Sequence, residues 1–367
     1  MKKHSDPAYR DTRNPHLIEF KPDIVETNRR WEAYWKGELL DRPVVVCNIL
    51  KINYPFLPES SYRERVYGDL NAILDRALHN AQGTEYLAES VPQFRLSFGP
   101  DEIAVFCGAE LAWSDDSNCD TNWSKPFVTD WTRNLPLSLK PESPLWQRMQ
   151  LFYRLAGERL GGQILLQSLD FHTNMDLLAA VRGSEQLCMD LVDCPKAIDR
   201  AMSDACQIFE QVWDTCRING RMDEYGYGFS GYARDGVAVL ACDFSALIGP
   251  DMFRRWVRPI LEREATLVKH AIYHWDGPRA LVHFEELMAM PEIHTVSFVP
   301  DPGEKHLKYL ALFKRIQQKG KAVLVWGSTE ELKSMHKELN PALVIYQPVV
   351  KSRDELEDFL KWLREHT

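Results

Sequence analysis

Eight short runs of β-branched and aliphatic residues, separated by longer stretches of helical period, constrain this chain more than any other feature. They are RPVVVCNIL (42–50), VPQFRLSF (91–98), GQILLQSLD (162–170), VAVLACDF (237–244), AIYHW (271–275), HTVSFV (294–299), KAVLVWG (321–327) and ALVIYQP (342–348). Most are continuously apolar rather than alternating. That is the pattern of strands covered on both faces, and therefore of a parallel sheet.

Helices fill the intervals. Phe253, Trp256, Val257, Ile260 and Leu261 share one helical face, with Pro259 expected to bend or break that helix; Tyr309, Leu312, Phe313 and Ile316 repeat the pattern and stop at Gly320. Ser328 with Glu331, and Ser352 with Glu355, have capping-box spacing, and Leu356, Phe359, Leu360 and Leu363 form the stripe of the last helix. Strands alternating with helices predict an α/β fold. Eight strands in one chain predict a closed (β/α)8 TIM barrel, with an open doubly wound sheet as the alternative. One domain is expected over residues 1–367. Residues 1–41 form its N-terminal helical extension, and about 99–160 a long Trp- and Pro-rich insertion of the kind that closes over a site.

A net charge of −9 argues against a general affinity for nucleic acid, which needs a positive footprint, and points to a small-molecule partner. No run of about 20 apolar residues occurs, so a cytoplasmic protein that neither crosses nor binds membranes is expected. The eight cysteines include no C-x-x-C pair, which indicates neither a zinc ribbon nor a dithiol site. They read as small buried hydrophobes, with Cys47 and Cys242 set apart by their places near strand ends.

In a barrel of this kind the active site lies at the carboxyl ends of the strands. That singles out Asn48, the cluster Asp170, His172, Asn174 and Asp176, then Cys242, Asp243 and Ser245, then His274 and Asp276, and finally Asp301. His274 and Asp276 read either as metal ligands or an acid–base pair aimed into the mouth, or as a loop hydrogen bond and a helix cap. Asp170 and His172 suit substrate binding and proton donation, whereas Asn174 or Asp176 reads equally well as the cap of the next helix. Asp243 either touches ligand or begins a loop. GYGFSG (226–231) matches a dinucleotide fingerprint without the strand and helix that give it meaning, and reads as a flexible loop. Glu285 and Glu286 read as solvated, and Asp115 and Asp116 as a charged loop surface or a carboxylate pair in the lid.

Four segments, RWEAYWKGELLDRPVVV, QSLDFHTNMDLLAAVRGSEQLCMDLVDCP, VLACDFSALIGPDMFRRWVRPILE and AIYHWDGPRALVHFEELMAMPEIHTVSFVPDPG, together resemble the uroporphyrinogen decarboxylase superfamily, in its trimethylamine-corrinoid-protein-like branch. The resemblance implies a (β/α)8 barrel, a homodimer, and either porphyrinogen decarboxylation or zinc-dependent methyl transfer involving corrinoids or thiols. The decarboxylase's Arg-bearing N-terminal loop is replaced here by VVVCNILKINYPF, which disfavours that activity. The methyltransferases' His-x-Cys falls on His274 and Asp276, and their distal cysteine has no counterpart in LVIYQPVVKS.

The expected function is methyl transfer between a small methylated substrate and a corrinoid, free or on a carrier protein. Zinc at His274 and Asp276 is a further possibility of the same resemblance. His274, Asp276 and His172 would be catalytic, and Asn48, Asp170, Asn174, Asp243 and Asp301 would bind substrate. The alternatives are a metal- or acid/base-dependent lyase or hydrolase on a sugar-like compound, and a non-catalytic corrinoid- or tetrapyrrole-binding protein.

Overall fold

The computed structural model describes residues 19–114, 121–169 and 172–367. Its strands are β1 (Val44–Leu50), β2 (Thr84–Ala88), β3 (Gln93–Phe94), the hairpin β4 (Glu110–Trp113) and β5 (Asn122–Lys125), β6 (Leu165–Gln167), β7 (Tyr227–Gly228), β8 (Val237–Ala241), β9 (His270–Asp276), β10 (Ile293–Val299), β11 (Ala322–Ser328) and β12 (Val344–Val349). Each of the eight apolar runs contains one of them. The fold is α/β. Its central sheet has seven strands in the order β2-β1-β12-β11-β10-β9-β8, and a smaller parallel sheet has the order β3-β6-β7.

The first strand lies beside the last, parallel to it, with Val44 opposite Ile345. The other edge of β1 is taken by β2, which runs antiparallel and sets Cys47 opposite Leu87. Among the described residues no ladder joins the two sheets.

Strand alternation sorts the side chains into two cores. Val44, Leu324, Ile345, Leu165, Val91 and Tyr232 meet between the sheets, with Val46 and Trp326 packed against them. Val45, Cys47, Tyr273, Trp275, Phe298, Val323, Val325 and Tyr346 point outward under the helices. The helix Ile24–Trp35 closes the amino ends of the strands. Trp31 donates from Nε1 to the Glu89 carbonyl (2.9 Å), the Tyr34 hydroxyl meets Thr295 Oγ1 (2.6 Å), and the Trp35 ring stacks on His270 at 4.4 Å. The helix Ile24–Trp35 of the N-terminal extension is thus part of the interior, a role fixed by its three aromatic residues.

The helical expectations hold, with informative exceptions. Ser328 and Glu331 form the full capping box, and Ser352 accepts from the Glu355 amide. Pro259 neither breaks nor ends its helix. A π-helical turn, Phe253–Val257, precedes it and absorbs the missing N–H, so that Pro250–Met252 runs on into Arg258–Leu267. Within 99–160, Pro144–Leu160 is a 17-residue helix with Trp146, Met149, Phe152 and Tyr153 buried. Asp115, Asp116 and Cys119 lie outside the described residues. Among the described residues no helix is long and apolar enough to cross a membrane.

Candidate active site

The carboxyl ends of β1, β6 and β12 surround a cleft of about 390 Å³ lined by Asn48, Tyr86, Ser90, Gln93, Gln167 and Gln347. A second lobe of about 470 Å³ shares Thr84, Tyr86, Gln93 and Gln167, and adds Glu59, Arg65, Arg95 and Phe229. Neutral amides dominate the first lobe. Gln167 donates to Gln93 Oε1 (3.1 Å), Gln93 donates to the Gly231 carbonyl (2.9 Å), and Ser90 Oγ donates to Asn48 Oδ1. These bonds fix which end of each amide faces inward. Glu89, at the floor, is fully committed: Arg42 binds both its oxygens (2.7 and 2.8 Å), Arg30 Nε adds a third bond (2.8 Å), and the Val45 amide a fourth (2.9 Å).

Further round the central sheet, β9 ends in His274 and Asp276. They alternate with the outward Tyr273 and Trp275, and so share the side on which Ile272 meets Val237 and Val239. His274 is half-buried and Asp276 exposed, and neither makes a hydrogen bond or ion pair. Ala241 of β8 and Ser297 of β10 are its register partners. An imidazole so placed can give or take a proton at a bound molecule. A metal needs three or more protein donors, and among the described residues no group of three His, Cys, Asp or Glu side chains converges.

The remaining candidates gather elsewhere, behind the end of β8. Asp176 is buried and accepts the backbone amides of Asp243 (2.9 Å) and Phe244 (2.7 Å), so it caps the short 3-10 turn Asp243–Leu247. Asn174, fully buried with φ +49°, donates to the Ala241 carbonyl (3.0 Å) and to Glu264 Oε2 (3.4 Å), and its Oδ1 accepts from the Met175 amide. Thr173 donates to the other oxygen of Glu264 (2.6 Å). Burial pushes the Glu264 carboxyl up to about 8. Burial, reinforced by the neighbouring Asp243 carboxylate, pushes Asp176 up to about 6, while His172 pulls the other way. Asn174 as a substrate ligand is therefore corrected: its amide is spent on backbone and on Glu264, which leaves it no face toward a ligand.

His172 and Asp243 line a separate, shallower cleft of about 410 Å³ with Trp123, Ser124, Asp176 and Leu247. Both are half-buried at the rim, away from Asn48. Asp301 is exposed on the loop after β10, and Asp170 lies outside the described residues. Ser245 is buried, its carbonyl accepting from His283 (2.8 Å). Cys47 faces the outer core, where burial lifts its thiol to about 11, and Cys242 is buried with its thiol well above the ordinary range. Neither is a thiolate nucleophile.

Two other expectations change. Tyr227–Gly228, inside GYGFSG, is strand β7, paired with Leu166 and Gln167 of β6. Neither glutamate is simply solvated: Glu286 is ion-paired with Arg254 (2.6 Å) and Arg258 (2.9 Å), and the more exposed Glu285 pairs with Lys319 (2.8 Å). Sequence reasoning missed Gln93, Gln167 and Gln347. Each is a polar break in an apolar strand, and that interruption was the signal that marked them.

No family model matches the sequence, and no curated protein is similar to it at a significant level. Among solved structures the chain is similar to a methyltransferase from Methanosarcina mazei, with 13% identity and a TM-score of 0.60 over 92% of this chain and 98% of that one. Identity this low establishes a common fold.

Proposed function

We propose that the two sheets are arcs of one (β/α)8 barrel, and that the cleft at their carboxyl ends is the substrate site of a methyltransferase-like enzyme. The observation that carries this reading is the polar cleft itself. It opens where barrel enzymes hold their substrates, in a fold shared almost end to end with a protein named as a methyltransferase.

The partner reaction is methyl transfer to or from a corrinoid, free or held by a carrier protein. In the direction of demethylation the carbon–heteroatom bond breaks and its electron pair stays with the heteroatom. The acceptor supplies the pair for the new bond to the methyl carbon. The chain's own tasks are to orient the methylated compound through Asn48, Gln167 and Gln347, and to protonate the departing heteroatom from His274. Zinc is not assigned a role, because the His274 and Asp276 pair lacks a third donor among the described residues.

The amide collar also favours a second reading, a lyase or hydrolase on a hydroxyl-rich compound, since neutral amides pair equally well with hydroxyls. One experiment separates the two. Purified protein is mixed anaerobically with Co(I) cobalamin and a panel of methyl ethers and methylamines. Methylcobalamin formation that falls about 100-fold or more in His274→Ala is expected. No methylcobalamin from any donor, with or without candidate carrier proteins, sinks the methyl-transfer reading.

A further inference from the structure

We infer that the compound taken by the first lobe of this cleft is an uncharged, sugar-like polyol, held through neighbouring hydroxyl groups by Asn48, Gln167 and Gln347; this rests on the cleft being the substrate site. The polarity of the collar carries the assignment. Gln93 is held at both ends: its Nε2 donates to the Gly231 carbonyl (2.9 Å), and its Oε1 accepts from Gln167 (3.1 Å). Its seat depends on a glycine, because a Cβ on Gly228 would stand 2.7 Å from Gln93 Nε2 and 2.9 Å from the Gly231 oxygen. With one N–H committed to Gln93, Gln167 keeps its Oε1 open as an acceptor. Asn48 is the reverse. Its Oδ1 accepts from Ser90, so its Nδ2 stays open as a donor. Gln347 makes no side-chain hydrogen bond among the described residues and offers both kinds of group.

A hydroxyl donates and accepts, and so meets either kind. A carboxylate only accepts and would set its charge against Gln167 Oε1, whereas an ammonium only donates and would be set against Asn48 Nδ2. The charges of the wall point the same way. Among the described residues lining this lobe Glu89 alone is charged, and Arg30 and Arg42 neutralise it. The arginines of the adjoining lobe are engaged within the protein, Arg65 with Ser60 Oγ (2.9 Å) and Arg95 over the Phe229 ring (5.7 Å). An ion entering the first lobe would lose its water without gaining a counter-charge, a cost that a neutral polyol avoids. Tyr86, the register partner of Asn48, adds a half-buried ring on which the C–H face of such a compound can lie.

The test is equilibrium calorimetry with matched probes. Methyl α-glucoside, methyl α-galactoside and methyl α-mannoside are each compared with their 6-carboxylate and their 6-amino-6-deoxy derivative, and with 2-methoxytetrahydropyran, which has the ring without the hydroxyls. At least one neutral glycoside is expected to bind, about ten-fold or more tighter than its charged and hydroxyl-free counterparts, with an affinity that added salt leaves unchanged. Asn48→Asp, which turns the open donor into a charged acceptor, should weaken that glycoside about ten-fold and favour the amine instead. Binding of none of the glycosides, tighter binding of either ion, equal binding of 2-methoxytetrahydropyran, or an unchanged preference in Asn48→Asp would each overturn the proposal. Should Asn48→Asp fail to fold, Gln347→Leu is read in its place, with a loss of about five-fold expected for the glycoside and an unchanged affinity counting against the proposal. Glycoside binding without methyl transfer from any donor would overturn the reaction and leave this assignment standing; methyl transfer confined to charged donors would do the opposite.

Discussion

The end of the central sheet carries two polar groups of similar composition held in opposite ways. Behind β8, Asn174, Asp176 and Glu264 are buried and their side chains are spent on backbone and on one another. At the ends of β9 and β12, the side chains of His274, Asp276 and Gln347 make no hydrogen bond among the described residues. A polar group whose partners are already in the protein stabilises the fold. One that projects into a cleft without them retains its full capacity for a ligand. Residue type alone does not distinguish these roles, because carboxylate and amide occur in both groups.

Mutation can break that contrast. The largest effect is expected from Asp176→Ala, which strips the cap from two buried amides and should cost about 2–4 kcal/mol of stability near neutral pH, read by urea denaturation. A variant as stable as wild type would show that the cluster behind β8 is not structural.

The pH dependence sharpens the same point. Glu264 is raised from 4.5 to about 8 in the folded protein, so between those values the folded state holds a proton that the unfolded chain has released. Its contribution to stability is present in full below 4.5 and is lost as pH rises toward about 8, with a slope of at most about 1.4 kcal/mol per pH unit. Glu264→Gln should flatten the wild-type curve across that window. An equally steep curve in the variant would assign the slope to other groups.

The smallest stability effect belongs to the cleft. Gln347→Ala should change unfolding free energy by less than about 0.5 kcal/mol while weakening a bound ligand about five-fold. A large loss of stability there would place Gln347 with the structural group.

Much of the architecture was legible because most strands of the central sheet are largely apolar runs, the pattern expected of burial on both faces. What the apolar pattern leaves out is pairing. Thr84–Ala88, lying antiparallel on β1, is partly buried throughout and carries Glu85 and Tyr86, so nothing in its composition announces a strand. The site was legible in part. Asn48, expected from its place at a strand end, lines the cleft, and His274 and Asp276 stand at the end of β9 as their spacing suggests. Asn174 was mistaken for a ligand because its engagement with Ala241 and Glu264 joins segments far apart in the chain. Gln93 and Gln347 escaped because an amide within a strand carries no charge to draw notice.

The pairing of β1 with β12 has a consequence for how the chain is made. On a ribosome, VVVCNIL emerges early and finds β2 within a few dozen residues, which covers one edge. Its other edge must wait for Val344–Val349, which lies far downstream in the sequence. Through most of translation a flat, β-branched edge is therefore open to any other nascent chain, the hazard that folded sheets hide and growing ones do not. The final helix, Arg353–His366, can pack on its strand only after that seam has formed.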